Sequence, residues 1–308
     1  MEIELGDFYS RLGTIALIIA LGFLLGRKKW ISHATNGQLV NLLLGVFMPA
    51  ALFSAFPNTY STESMNMFLA GLAGGALVLM ALILVSRVVF NRYIYKGEIR
   101  YESQFAFIFN NATFLGYPII ATTFGETGLV PYSGFIIAFN VALFSYGVFL
   151  FERKLNWRLV RDTILNPNII AVLLGVVVFL FSLKLPGFVT DGASLVGSAM
   201  TPLSLICIGF MLSHAKFMVM IRKWRLFLTA AIQLTLGPTV TYFLLSGLGF
   251  PTEVVVVCTL IQALPTATSL GLFAKKYGGN DIEASELVAI STLMSVVTLP
   301  IMISLYLV

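Results

Sequence analysis

Residues 110–118 read NNATFLGYP, and they fall inside an apolar run long enough to cross a bilayer. Two asparagines, a threonine, a glycine and a proline are costly choices there, because hydrocarbon offers a polar or broken backbone no partner. Such a stretch persists in a spanning helix where it is packed in protein or lines a cavity. Its reading therefore decides both the fold and the place to look for function.

The rest of the 308-residue chain supports a membrane setting. Hydrophobic residues make up 58% and charged residues only 11%, against about 25% charged in soluble domains, and the mean hydropathy is +0.93. The net charge of +5 fits basic cytoplasmic loops better than a nucleic-acid partner. Cys207 and Cys258 both sit in apolar runs and read as buried thiols, with no disulfide framework or metal site implied. The opening MEIELGDFYS is acidic, unlike a secretory signal, so the first apolar run is expected to stay as a spanning helix.

With roughly 20 apolar residues needed per crossing, ten spans are expected, at 8–26, 36–57, 66–90, 104–124, 131–151, 167–183, 193–213, 225–248, 254–274 and 284–307. Runs such as IALIIALGFLLG do not alternate, which excludes a β-barrel. All of the 19 Lys and Arg except Arg11 and Lys184 fall at the loops after spans one, three, five, seven and nine. The positive-inside rule then places those loops in the cytoplasm and both termini outside. The fold class expected is an all-α integral membrane protein of ten transmembrane helices, multi-pass in the cell membrane.

Five spans entering from outside, followed by five entering from inside, form an inverted-topology repeat. The expected parts are residues 1–151, a short cytoplasmic connection at 152–166, and residues 167–308, with Asn166 and Pro167 suited to the cap and first turn of the sixth helix. Gly116 and Pro118 interrupt the fourth span; Pro265 and Gly271, within QALPTATSLG, interrupt the ninth. Proline removes a donor and clashes with the preceding turn, and glycine weakens the helix further. Each break leaves a half-helix whose N-terminus carries about half a positive charge, a ready place for an anion. Asn110, Asn111 and Thr113 before one proline, and Gln262, Thr266, Thr268 and Ser269 around the other, supply neutral donors.

These motifs also resemble the auxin efflux carrier family, which includes bacterial malate and malonate permeases and plant PIN-type auxin exporters. NNATFLGYPII is similar to the family's fourth-helix motif and ALPTATSLGLFAKKYGG to its ninth, while FMPAALFSAF and NPNIIAVLLG match the second and sixth spans. The chain lacks the long cytoplasmic loop of the plant members. The resemblance implies a scaffold of spans one, two, six and seven, and a moving domain of spans three to five and eight to ten. It implies that the fourth and ninth helices cross at their prolines, beside a substrate carboxylate that Asn111 contacts. PIN-type members carry a second proline where this chain has Leu270, so the position of the ninth-helix break stays open.

Asn140 in the fifth span reads equally as a cavity residue or as an interhelical hydrogen bond. Gln233 and Asn41 read as structural, and His33 and His214 as solvated residues at cytoplasmic ends. No acid lies in the middle of a span: Glu253, Glu283 and Glu286 sit near span ends. No cofactor is expected, and coupling to H+ or Na+ is left open, as is a homodimer. The expected function is a carrier of a small organic anion, a mono- or dicarboxylate such as malate or malonate, working by alternating access. The rival readings are an anion channel and an exporter of auxin-like aromatic acids. Neither a His-Glu-x-x-His nor a Gly-x-Ser-x-Gly motif occurs, and an enzyme is not expected.

Overall fold

The computed structural model describes residues 5–56, 61–91, 95, 99–152, 161, 165–214 and 223–306. Among these residues the chain is helical, and its only β-type pairing is an isolated bridge between Asn110 and Thr266. Most of the connection expected at 152–166 lies outside the described residues, as do Arg92, Lys96, Arg153, Lys154, Arg158, Lys216 and Arg222 of the charge count.

The helices, in chain order, are α1 (Leu5–Arg27), α2 (His33–Leu42), α3 (Met48–Phe53), α4 (Thr62–Val89), α5 (Ile99–Ile108), α6 (Tyr117–Ala142) and α7 (Val148–Glu152). Then follow α8 (Pro167–Leu180), α9 (Gly187–Ser198), α10 (Met200–Ser213), α11 (Trp224–Gly247), α12 (Thr252–Ala263), α13 (Leu270–Tyr277) and α14 (Asp281–Tyr306). Among the described residues, six helical runs are long and apolar enough to cross a membrane, and three shorter apolar helices accompany them. The protein is a multi-pass membrane protein.

Local chemistry sets several of the boundaries. Asn166 caps α8 by accepting from the N–H of Asn168 at 2.9 Å, with Pro167 in the first turn. Wide π turns at Leu43–Phe47 and Ala112–Gly116 each end two residues before a proline, Pro49 and Pro118. Sequence reading expects a loop between residues 124 and 131. The helical run instead bends at one residue, Gly125, with φ 56° and ψ −139°, a conformation open to glycine because it has no Cβ.

The chain divides into two compact units, each drawing on both sides of the 152–166 connection. The first holds Met1–Leu72, Thr113–Ile137 and Ile164–His214; the second holds Ala73–Ala112, Ala138–Thr163 and Ala215–Val308. In the first, α1 packs on α10. A Cβ on Gly22 or Gly209 would run into the opposing backbone at Ile206 or Ile19, so these helices touch main chain to main chain. In the second, α11 packs against α5, α12 and α14, while α13 packs on α14 and α7. The burial pattern suits lipid: Phe188, Leu195 and Val296 are exposed, whereas Gln233, Thr229 and Thr241 are fully buried.

Candidate functional site

The site grows from a break in the second unit whose local cause is visible in the sequence. A residue before proline is driven out of the helical region, and Leu264, before Pro265, is extended at φ −74° and ψ 157°. Helix α12 therefore stops at Ala263, and α13 starts at Leu270. In an unbroken helix residues 265 and 266 would donate to the carbonyls of Ile261 and Gln262. Proline has no hydrogen to give, and the N–H of Thr266 turns to Ser291 Oγ at 3.1 Å. The side-chain amide of Asn110 reaches both carbonyls, its Nδ2 donating to Gln262 O at 2.6 Å and, beside the Leu264 N–H at 3.2 Å, to Ile261 O at 3.1 Å.

The chain that carries Asn110 is interrupted at the same place. Helix α5 ends at Ile108, and regular helix resumes with the π turn at Ala112. The two interruptions lie antiparallel: Ala267 N donates to Phe109 O at 2.9 Å, and Asn111 N donates to Pro265 O at 2.7 Å. Each break thus supplies the partners that the other's peptide groups would otherwise lack in a dry interior. Gln233 on α11 closes the arrangement. Its Nε2 donates to Leu264 O at 2.9 Å and to Asn110 Oδ1 at 3.4 Å, and its Oε1 accepts from Thr266 Oγ1 at 2.9 Å. Asn110, Gln233 and Thr266 are all buried.

The residues singled out from sequence therefore divide by role. Asn110 and Thr266 spend their polar atoms on the fold. Asn111 and Asn140 are buried in the same unit. Gln262 is fully buried, and among the described residues neither its Oε1 nor its Nε2 has a hydrogen-bond partner. Thr268 is half-buried in the turn before α13. The N–H groups of Gly271 and Leu272, in the first turn of α13, take no acceptor among the described residues. Thr113, Gly116 and Pro118 belong to the first unit.

Two expected break positions shift. The fourth-span interruption lies at residues 109–111, and Pro118 is the second residue of α6, in the first turn where a proline is tolerated. Gly271 lies inside α13, where a Cβ would meet Ser285 Oγ at 2.9 Å; it permits close packing on α14.

Sequence reading missed Glu102 and Ser291. Glu102, two residues before the expected start of the fourth span, is fully buried, and its Oε1 accepts from Asn280 N at 2.8 Å. The signal was its place in IRYESQF, directly against the apolar run. Nearby, Tyr95 OH lies 3.3 Å from the Thr229 hydroxyl. Burial raises the Tyr95 phenol above its ordinary pKa, opposed by that contact and by the charge of Arg225.

Apolar spans together with paired helix interruptions in the membrane interior are the pattern of a membrane transport protein. Comparison with known proteins gives the family. A model described as membrane transport protein matches residues 8–161 and 153–303, and the chain belongs to this family, the auxin efflux carriers, and not among enzymes. A relative named probable auxin efflux carrier component 5c, from Oryza sativa subsp. japonica, is 30% identical over 145 residues. The match covers 46% of this chain and 38% of the relative, so the chain spans well under half of that relative's length.

Proposed function

We propose that the protein is a carrier of a small organic anion, a carboxylate such as malate or malonate, working by alternating access. The observation that carries this reading is the bridge between the two interrupted helices, with the free N–H groups of Gly271 and Leu272 opening α13 just beyond it. A helix N-terminus attracts negative charge, and a buried unpaired amide at Gln262 is costly to keep unless something fills its hydrogen bonds. Asn111, Gln262 and Thr268 are the proposed carboxylate contacts, with Asn140 lining the approach. Asn110 and Thr266 serve as the frame.

The surrounding architecture in this proposal is ten spans in two inverted repeats, residues 1–151 and 167–308, with both termini outside the plasma membrane. The similarity to a named auxin efflux carrier supports a second reading, in which the anion is an aromatic carboxylate. Uptake of labelled malate, malonate and indole-3-acetate into proteoliposomes, with and without H+ or Na+ gradients, separates the two and reads the coupling. Saturable uptake of one class, inhibited by its unlabelled congeners, is expected. Failure of every carboxylate to move or compete would sink the carrier reading, and unsaturable currents would replace it with a channel.

A further inference from the structure

The chain contains two histidines, His33 and His214, far apart in sequence. The structure brings them together within the first unit. His33 opens α2, His214 follows the last residue of α10, and their ring centroids lie 4.4 Å apart with the planes at 62°. Phe210 backs both, with centroids 5.2 Å from His33 and 4.5 Å from His214. Both imidazoles are exposed.

Their hydrogen bonding suits metal ligation. Nδ1 of His214 lies 3.1 Å from Phe210 O and 2.9 Å from Ser213 Oγ. A ring N–H held by a backbone carbonyl fixes the tautomer and leaves the lone pair on Nε2, the arrangement that orients histidines bound to metals. The His33 ring has no hydrogen bond among the described residues, so its nitrogens can turn to a ligand. The spacing is selective as well. With metal–nitrogen bonds of about 2.0–2.1 Å, two imidazoles at cis positions near 90° have centroids roughly 4.5 Å apart, and tetrahedral ligands stand wider. Tetragonal nitrogen and oxygen coordination is the preference of Cu2+ and Ni2+.

We propose that His33 and His214 form a bis-histidine site for a divalent ion of the copper–nickel class. Nε2 of His214 and one ring nitrogen of His33 are the cis ligands, and water completes the coordination. Because α2 and α10 pack together, the ion ties two helix ends within one unit and stabilises it.

The test uses full-length, tag-free protein in detergent with added Cu2+ or Ni2+. The Cu2+ electron paramagnetic resonance spectrum should show coupling to two nitrogens, reduced to one in His33→Gln or His214→Gln. Each single variant should lose at least about tenfold in apparent affinity, since even an outer-shell change costs that much. Ni2+ should raise the melting temperature of the parent protein and leave that of the double variant unmoved. On the parent protein alone, the metal should protect both histidines from acylation by diethyl pyrocarbonate, a result that does not depend on any variant folding. A two-nitrogen spectrum that survives the double substitution, or acylation unaffected by saturating metal, overturns the site. Neither readout involves transport, so this proposal and the carrier reading fail separately.

Discussion

Helix α11 runs unbroken through Pro238, whereas α12 stops two residues before Pro265, although both helices pack in the same unit. A proline in the interior of a helix costs about 3 kcal/mol. The difference lies in what receives the freed carbonyls. At Pro265, Asn110 from the interruption after α5 donates to both carbonyls that lost their helical donors, Ile261 O being shared with the Leu264 N–H, and the adjacent chain is held by the bridge to Phe109 and Asn111. At Pro238, no donor from another element reaches the carbonyl of Leu234 among the described residues, and the helix carries on around a single missing bond. A proline alone thus permits a break; a polar partner delivered from elsewhere makes it.

Four substitutions test that contrast, and the largest effect belongs to the donor. Asn110→Ala strands the carbonyl of Gln262 in a dry interior, at about 1–3 kcal/mol for the orphaned group, and leaves Ile261 O with the Leu264 N–H alone. Its midpoint of thermal unfolding in detergent should fall well below that of the parent, and an unchanged midpoint would remove Asn110 from its capping role. Next comes the proline itself. Pro265→Ala returns a donor to the helix and lets it close across the gap, so transport should drop by more than tenfold. Pro238→Ala should leave transport within about twofold, because no break depends on it; equal losses in the two variants would erase the distinction. The smallest effect on the fold belongs to Asn111→Ala. Substrate affinity should weaken by about 1.5–3 kcal/mol, the contribution of one hydrogen bond to a charged group, with the unfolding midpoint nearly unmoved. Binding calorimetry that shows unchanged affinity would strike Asn111 from the site.

Much of this was legible in the sequence where one residue dictates its own surroundings. Pro265 announces a break because it lacks a hydrogen, and Asn166-Pro167 announces a helix start for the same reason. Long apolar runs disclose the membrane, since nothing else tolerates them. The rest depends on neighbours that are distant in the chain. Adjacent asparagines look alike in sequence, yet side chains one residue apart on extended, bridged backbone point to opposite sides. Only the fold shows that Asn110 caps α12 while the main chain of Asn111 joins the bridge. Pro118 looked like a break because composition does not reveal that it falls in the first turn of a helix, where a proline is tolerated. Glu102 escaped notice because its partner is the turn at Asn280, nearly two hundred residues away in sequence.

The hydrogen bonds around Thr266 also set a rule for motion. Its side chain holds α11 through Gln233, its backbone holds α14 through Ser291, and its bridge holds the end of α5 through Asn110. None of these helices can advance by even one residue along its axis without breaking at least one such bond in a place where water is scarce. They are locked in register as a single gear. Spectroscopic labels on α5, α11 and α14 should therefore report one shared displacement during a transport cycle, and hold their mutual distances throughout it.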